Sequence, residues 1–212
     1  MIRQIAPGTY GGPGDMRTKR LLVLFGLVLV AAACGGSDAV TAPPDDRPLE
    51  DQFVEAIRAN DGTRIEALVD AGLDVNANLS FGSAINLIAA TGNYELVAVV
   101  VAAGFDLDAQ NSGAGRTVLH AAAESGDLEL ISALVEVGAN LEGVDDTQQN
   151  TPVQYAFYFG QVEAAKLLIS LGADINYVDI TGRNTADMAI KGGFPESVAF
   201  AEELGLASTS DE

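Results

Sequence analysis

The 212-residue chain has one cysteine, one histidine and no tryptophan. A lone Cys34 has no partner for an internal disulfide and removes paired-cysteine zinc and redox sites, and with His120 alone a histidine-based metal centre goes too. Aromatic residues make up only 6% of the chain. The core must therefore come from Ala, Val, Leu and Ile, which suits closely approaching helices better than an aromatic-filled sandwich. Cations are scarce: four of the eleven basic residues and one of the thirty acids precede Cys34, leaving seven against 29 and a net charge of −22 beyond it. Nucleic-acid binding needs clustered cations to displace phosphate counterions, so that class is excluded. Phosphate loops, nucleophile elbows, paired general-acid carboxylates and metal-binding helices are also missing. The expectation is a protein that is not an enzyme and uses no metal and no cofactor.

What is present begins with a label. Met16-Arg17-Thr18-Lys19-Arg20 is a short cationic segment, followed by 13 apolar residues from Leu21 to Ala33. That run is shorter than the roughly 18 to 20 residues of a spanning helix and reads as a secretory signal. Residues 1–15 fit neither a signal start nor a folded element, so translation is expected to begin at Met16. The sequence Val30-Ala31-Ala32-Ala33-Cys34 resembles the lipobox of bacterial lipoproteins, with Ala31 where that family prefers leucine. The resemblance implies cleavage before Cys34, lipidation of Cys34 and anchoring to a membrane. Gly35 stands where aspartate would retain a lipoprotein in the inner membrane, so the resemblance points to the periplasmic leaflet of the outer membrane in a bacterial cell envelope. Residues 34–48, rich in Gly, Pro and Asp, are expected to form a flexible, solvated tether.

Beyond the tether the chain repeats itself. Thr117 to Thr151, Gly126 to Gly160 and Gly138 to Gly172 are each 34 residues apart, Gly92 and Gly104 precede their counterparts by 34, and Gly193 and Gly205 follow theirs by 33. In the opening unit Gly72 precedes Gly104 by 32, and Asn60 stands in place of the mid-repeat glycine. Five units fit, at about 49–77, 78–109, 110–142, 143–176 and 177–207, with 208–212 as a fraying polar tail. Thr117, Thr151 and Ser83 suit the start of a first helix, and Pro152 suits its first turn because it has no N–H to satisfy. Ala89, Ala121, Ala122 and Ala156 would keep first helices thin, while Gly126 and Gly160 permit the positive φ that reverses the chain. Each second helix offers an apolar face, such as Leu128, Leu130, Ile131, Leu134 and Val135, that one unit cannot bury. Stacking is obligatory. Terminal units are expected to be more polar, as Glu55, Arg58, Arg64 and Glu66 at one end and Glu196, Glu202 and Glu203 at the other allow.

The elements Thr117-Val118-Leu119-His120-Ala121-Ala122 and Thr151-Pro152-Val153-Gln154-Tyr155-Ala156, with Gly172-Ala173-Asp174, closely resemble the ankyrin repeat. The resemblance covers about residues 49–207. It implies an all-α repeat solenoid of about five helix-turn-helix units with β-hairpin-like turns. It also implies a structural histidine at His120 that ties neighbouring turns by hydrogen bonds, with Asn86 and Gln154 as its counterparts.

Acid pairs at Asp45-Asp46 and Asp145-Asp146 lack the ligand spacing of a calcium loop and read as solvated tether and turn. Asp74, Asp106 and Asp174 read as turn residues, and Gly192-Gly193 as a turn. In the ankyrin pattern the turn tips and the ends of first helices face a concave groove. Arg58, Leu79, Ser80, Arg116, Glu124, Thr147, Gln148, Asn150, Tyr158, Phe159, Ile180, Thr181, Arg183 and Lys191 fall there. Phe157-Tyr158-Phe159 is the anomaly, because the aligned residues Ala123-Glu124-Ser125 are small or polar. Either these aromatics anchor a partner, or Phe157 packs between units and the others cover its edge. The expected function is a monomeric, lipid-anchored module that binds another protein through its concave face. The alternative is a periplasmic immunity, protective or chaperone-like protein for a toxin or envelope enzyme.

Overall fold

A computed structural model describes residues 45–77, 83–110 and 113–209. Cys34, Leu79 and Ser80, with most of the expected tether, lie outside these residues. The described residues form ten short helices in five pairs. These are α1 (Leu49–Arg58) with α2 (Gly62–Asp70), α3 (Ala84–Thr91) with α4 (Leu96–Ala102), α5 (Val118–Ser125) with α6 (Leu128–Glu136), α7 (Pro152–Tyr158) with α8 (Val162–Ser170), and α9 (Thr185–Gly192) with α10 (Pro195–Glu203). First helices pack on first helices and second on second. The result is an all-α repeat solenoid, with no strand among the described residues.

Helices this short are marginal alone, so their ends and their packing must hold them. Ser83 Oγ accepts the Asn86 N–H at 3.3 Å and Asp127 Oδ1 that of Leu130 at 3.0 Å. At Thr117 and Thr151 the capping runs the other way: their own N–H groups donate to His120 Nδ1 at 3.1 Å and Gln154 Oε1 at 3.1 Å. The helix pairs reverse at Gly126, with φ 74°, and in the first pair at Asn60, with φ 54°. Asparagine is the residue besides glycine that adopts this conformation most readily.

Side chains at the reversals tie neighbouring units together. Asn93 Nδ2 donates to the Ile57 carbonyl at 2.6 Å, Tyr94 Oη to Asp127 at 3.0 Å, and Gln161 Nε2 to the Glu124 carbonyl at 3.1 Å. Between the pairs, Leu119, Ile131, Leu134, Phe157 and Leu168 are all essentially inaccessible to solvent. Burial of each such side chain contributes about 1.5–3 kcal/mol. Ala122 and Ala156 are buried at the first-helix interface, whereas Ala121 is exposed and does not serve the close packing expected of it.

Gly192 also departs from expectation. It is the last residue of α9 and not part of the turn, and a Cβ there would lie 2.0 Å from the Tyr158 carbonyl oxygen. Its missing side chain lets α9 approach the end of α7.

The described residues that flank the helices, 45–48 and 208–209, are held by side-chain bonds. Arg47 pairs with Asp45 and Glu55, Arg64 reaches Asp45 at 2.8 Å, and Gln52 Nε2 holds the Asp45 and Arg47 carbonyls. Residues 45–48 are therefore docked on the first pair. At the other end Ser208 and Thr209 donate to the Asp187 carboxylate, and Asn184 Nδ2 to the Ala207 carbonyl at 2.7 Å. These bonds draw the Asp187 pKa far below the usual carboxylate range despite its burial.

Candidate protein-binding face

The turns ahead of α7 and α9 are each organised by a buried aspartate. Asp145 Oδ1 accepts the Thr147 N–H at 2.7 Å, the Thr147 hydroxyl and the Gln148 N–H at 2.8 Å, while Oδ2 accepts the N–H and side-chain amide of Asn150. Asp145 is 1% exposed, so it is not the solvated turn residue expected of the acid pair. Burial opposes its charge, but the donors prevail and hold its pKa at about 2. Asp179 does the same for Thr181 and Arg183. Asp74, Asp106 and Asp174 each accept the N–H two residues on, as turn residues do.

The turns close like hairpins and join one another. The Asp145 N–H donates to the Asn150 carbonyl at 3.1 Å and that of Asp179 to the Arg183 carbonyl at 2.8 Å; between turns, the Asp146 N–H reaches the Ala114 carbonyl and that of Ile180 the Gln148 carbonyl. His120 adds a side-chain tie. Its Nε2 lies 2.9 Å from the Asn150 carbonyl, which can only accept, so Nε2 carries the proton and Nδ1 accepts from Thr117. Gln154 bridges in the same way, its Nε2 donating to the Tyr177 carbonyl at 3.2 Å. The counterpart Asn86 is exposed.

Burial lowers the His120 pKa from the ordinary 6.5. As pH falls below about 6.5 the unfolded chain takes up a proton that folded His120 refuses, so stability present above that pH is lost toward the folded pKa. His120→Gln, copying Gln154, is expected to remove this loss in melts between about pH 7 and 5. An unchanged pH dependence would show that His120 does not carry it.

The joined turns and first helices frame a cavity of about 210 Å³. Its walls are Ala114, Arg116, Thr147, Gln148, Asn150, Tyr155, Tyr158, Phe159, Met188 and Lys191. Seven of the sequence-assigned face residues thus converge: Arg116, Thr147, Gln148, Asn150, Tyr158, Phe159 and Lys191. Glu124 sits beside them, ion-paired with Arg116. Arg183 is bound to Asp179 at 3.2 Å, Ile180 and Thr181 are exposed at the turn tip, and Arg58 is exposed on α1 outside the cavity lining. Asn150 is 4% exposed, so most of it supports the wall and little of it meets solvent.

Aromatic rings run across this wall. Tyr155 meets His120 edge-on at 5.0 Å and tilts against Phe159 at 5.9 Å, Phe159 meets Tyr158 edge-on at 4.9 Å, and the Lys191 ammonium lies 5.4 Å over the Tyr158 ring. Phe157 turns the other way, 1% exposed and stacked on Phe200 at 5.5 Å. Burial, reinforced by the Asp145 charge, pushes the Tyr155 pKa up and keeps the phenol neutral.

The sequence reading missed Tyr155, Met188 and Ala114. The first two share one repeat position with Ala121, and the size difference at that position was the available signal.

A family model described as ankyrin repeats (3 copies) matches residues 53–140 and again 85–179. The chain belongs to the ankyrin-repeat family. No curated protein matches the sequence significantly. The ankyrin array continues past the matched residues in the α9–α10 pair. Ankyrin repeats are a protein–protein interaction module, generally non-catalytic, which suits a wall of neutral aromatics and hydrogen-bonded polar groups.

Proposed function

We propose that the chain is a lipid-anchored ankyrin-repeat module of the bacterial cell envelope that binds another protein through the face formed by its turns and first helices. The observation that carries the binding half is the convergence of Tyr158, Phe159, Lys191 and Arg116 on one cavity. Aromatic and arginine side chains contribute most to interface energetics. At about 210 Å³ the cavity is smaller than the roughly 300–1,000 Å³ of small-molecule sites, and suits a single partner side chain.

The anchoring half rests on the lipobox resemblance at Val30–Cys34, and the outer-membrane periplasmic leaflet on Gly35. Lipid adds about 0.8 kcal/mol of membrane affinity per buried methylene, sufficient with several chains to hold an acidic domain. Cys34→Ser is expected to move the protein from the membrane fraction to the soluble one. An unchanged distribution ends the lipoprotein reading. For the binding half, Tyr158→Ala with Phe159→Ala is expected to abolish affinity capture of the partner by the membrane-anchored chain, and undiminished capture moves the binding site elsewhere.

A further inference from the structure

The charges of the cavity are unequally matched. Arg116 is ion-paired with Glu124, and Arg183 with Asp179. Among the described residues Lys191 has no ion-paired carboxylate: its Nζ donates to Gln148 Oε1 at 3.2 Å and lies over the Tyr158 ring. Arg58, the other cation without an ion pair among the described residues, belongs to α1 and does not line the cavity. An ammonium has three donors, so the Gln148 contact leaves capacity for an anion. Desolvation, joined by the nearby Arg183 charge, lowers the Lys191 pKa against the opposing charges of Asp179 and Asp145, which are spent on their own turn donors and do not pair with it.

Such a cation is unusual in a chain that carries 29 acids against seven basic residues beyond Cys34. Tyr158, Phe159 and Met188 line the cavity beside the exposed Lys191, and a charge-assisted hydrogen bond to its ammonium is stronger than a neutral one. We propose that the cavity receives an aspartate or glutamate side chain of the partner protein, its carboxylate on Lys191 and a neighbouring large apolar residue against Tyr158 and Phe159. This deepens, and rests on, the protein-binding reading of the face.

The carboxylate belongs to a side chain and not to a chain terminus. Capture of a C-terminal carboxylate uses a nest of free backbone N–H groups. Here the Thr147 and Gln148 N–H groups are consumed by Asp145. The acidic surface of the domain repels acidic partners at long range, so the local pair acts as a filter for position more than as an attraction.

A displayed library of random peptides panned on the full chain tests this. Enriched peptides are expected to carry an internal Asp or Glu beside a large apolar residue. They should bind about tenfold or more weakly to Lys191→Gln, with near-normal binding restored by Lys191→Arg, while the Lys191→Gln chain melts as the parent does. Enriched peptides without an acid, acidic peptides indifferent to Lys191→Gln, or peptides read through their C-terminal carboxylate overturn the proposal. If those peptides still lose binding to Phe159→Ala, the carboxylate contact alone is wrong and the face remains a protein-binding site. Peptides indifferent to both substitutions, or a library without binders, defeat both readings.

Discussion

Deleting residues 177–207 is expected to produce a chain that aggregates or melts far below the intact one. The deletion removes α9 and α10, and with them the partners of α7 and α8 on one side. Phe157 loses its stack on Phe200, and the Gln154 amide loses the Tyr177 carbonyl. Leu167, Leu168 and neighbouring apolar groups lose cover. In a repeat array stability is a sum over units and their nearest-neighbour interfaces. Uncovering several large apolar side chains at about 1.5–3 kcal/mol each consumes much of the roughly 5–15 kcal/mol that separates folded from unfolded chains. Circular dichroism melts with light scattering provide the check, and a truncated array that melts at the intact temperature contradicts the stacking account.

Phe157→Ala carries the second large effect. Phe157 is 1% exposed and its ring is nearly parallel to that of Phe200, at an angle of 6°. Emptying such a site costs about 3–5 kcal/mol, part of it the ring–ring term of about 0.5–1.5 kcal/mol. Phe157→Leu keeps most of the volume and should cost distinctly less. Denaturant unfolding of the two variants decides the matter. A loss below about 1 kcal/mol for the alanine variant would mean that the site repacks or that Phe157 is not core.

How much of this was legible in the sequence depends on what each residue answers to. The five units were legible because they share local demands, a reversal with positive φ and an apolar second helix in each and a capping side chain ahead of most first helices, although α1 follows Pro48 with no side-chain cap. Asn60 met the demand even without glycine. The proposed binding face was legible in part, since Phe157-Tyr158-Phe159 stood out against Ala123-Glu124-Ser125, but the run could not say which ring turned inward. That is decided by α10, whose Phe200 receives Phe157. Gly192 was misread for a similar reason. A helix-ending glycine and a turn glycine look alike until the Tyr158 carbonyl is placed beside one of them. Asp145 looked like a solvated acid because the donors that bury it, Thr147, Gln148 and Asn150, were assigned to the groove and not to the turn's own interior. The docking of residues 45–48 and 208–209 escaped because Arg47 and Asp187 act on partners that composition alone does not connect to them.

The central claim is that the face bearing Tyr158 and Phe159 is where another protein sits. A photoreactive amino acid placed at position 158 of the full-length chain in cells tests it most directly, with the same group at the exposed Ser132 of α6 as the control. The account predicts a discrete cross-linked adduct from position 158 and none from position 132; adducts from position 132 alone, or from neither position, would contradict it.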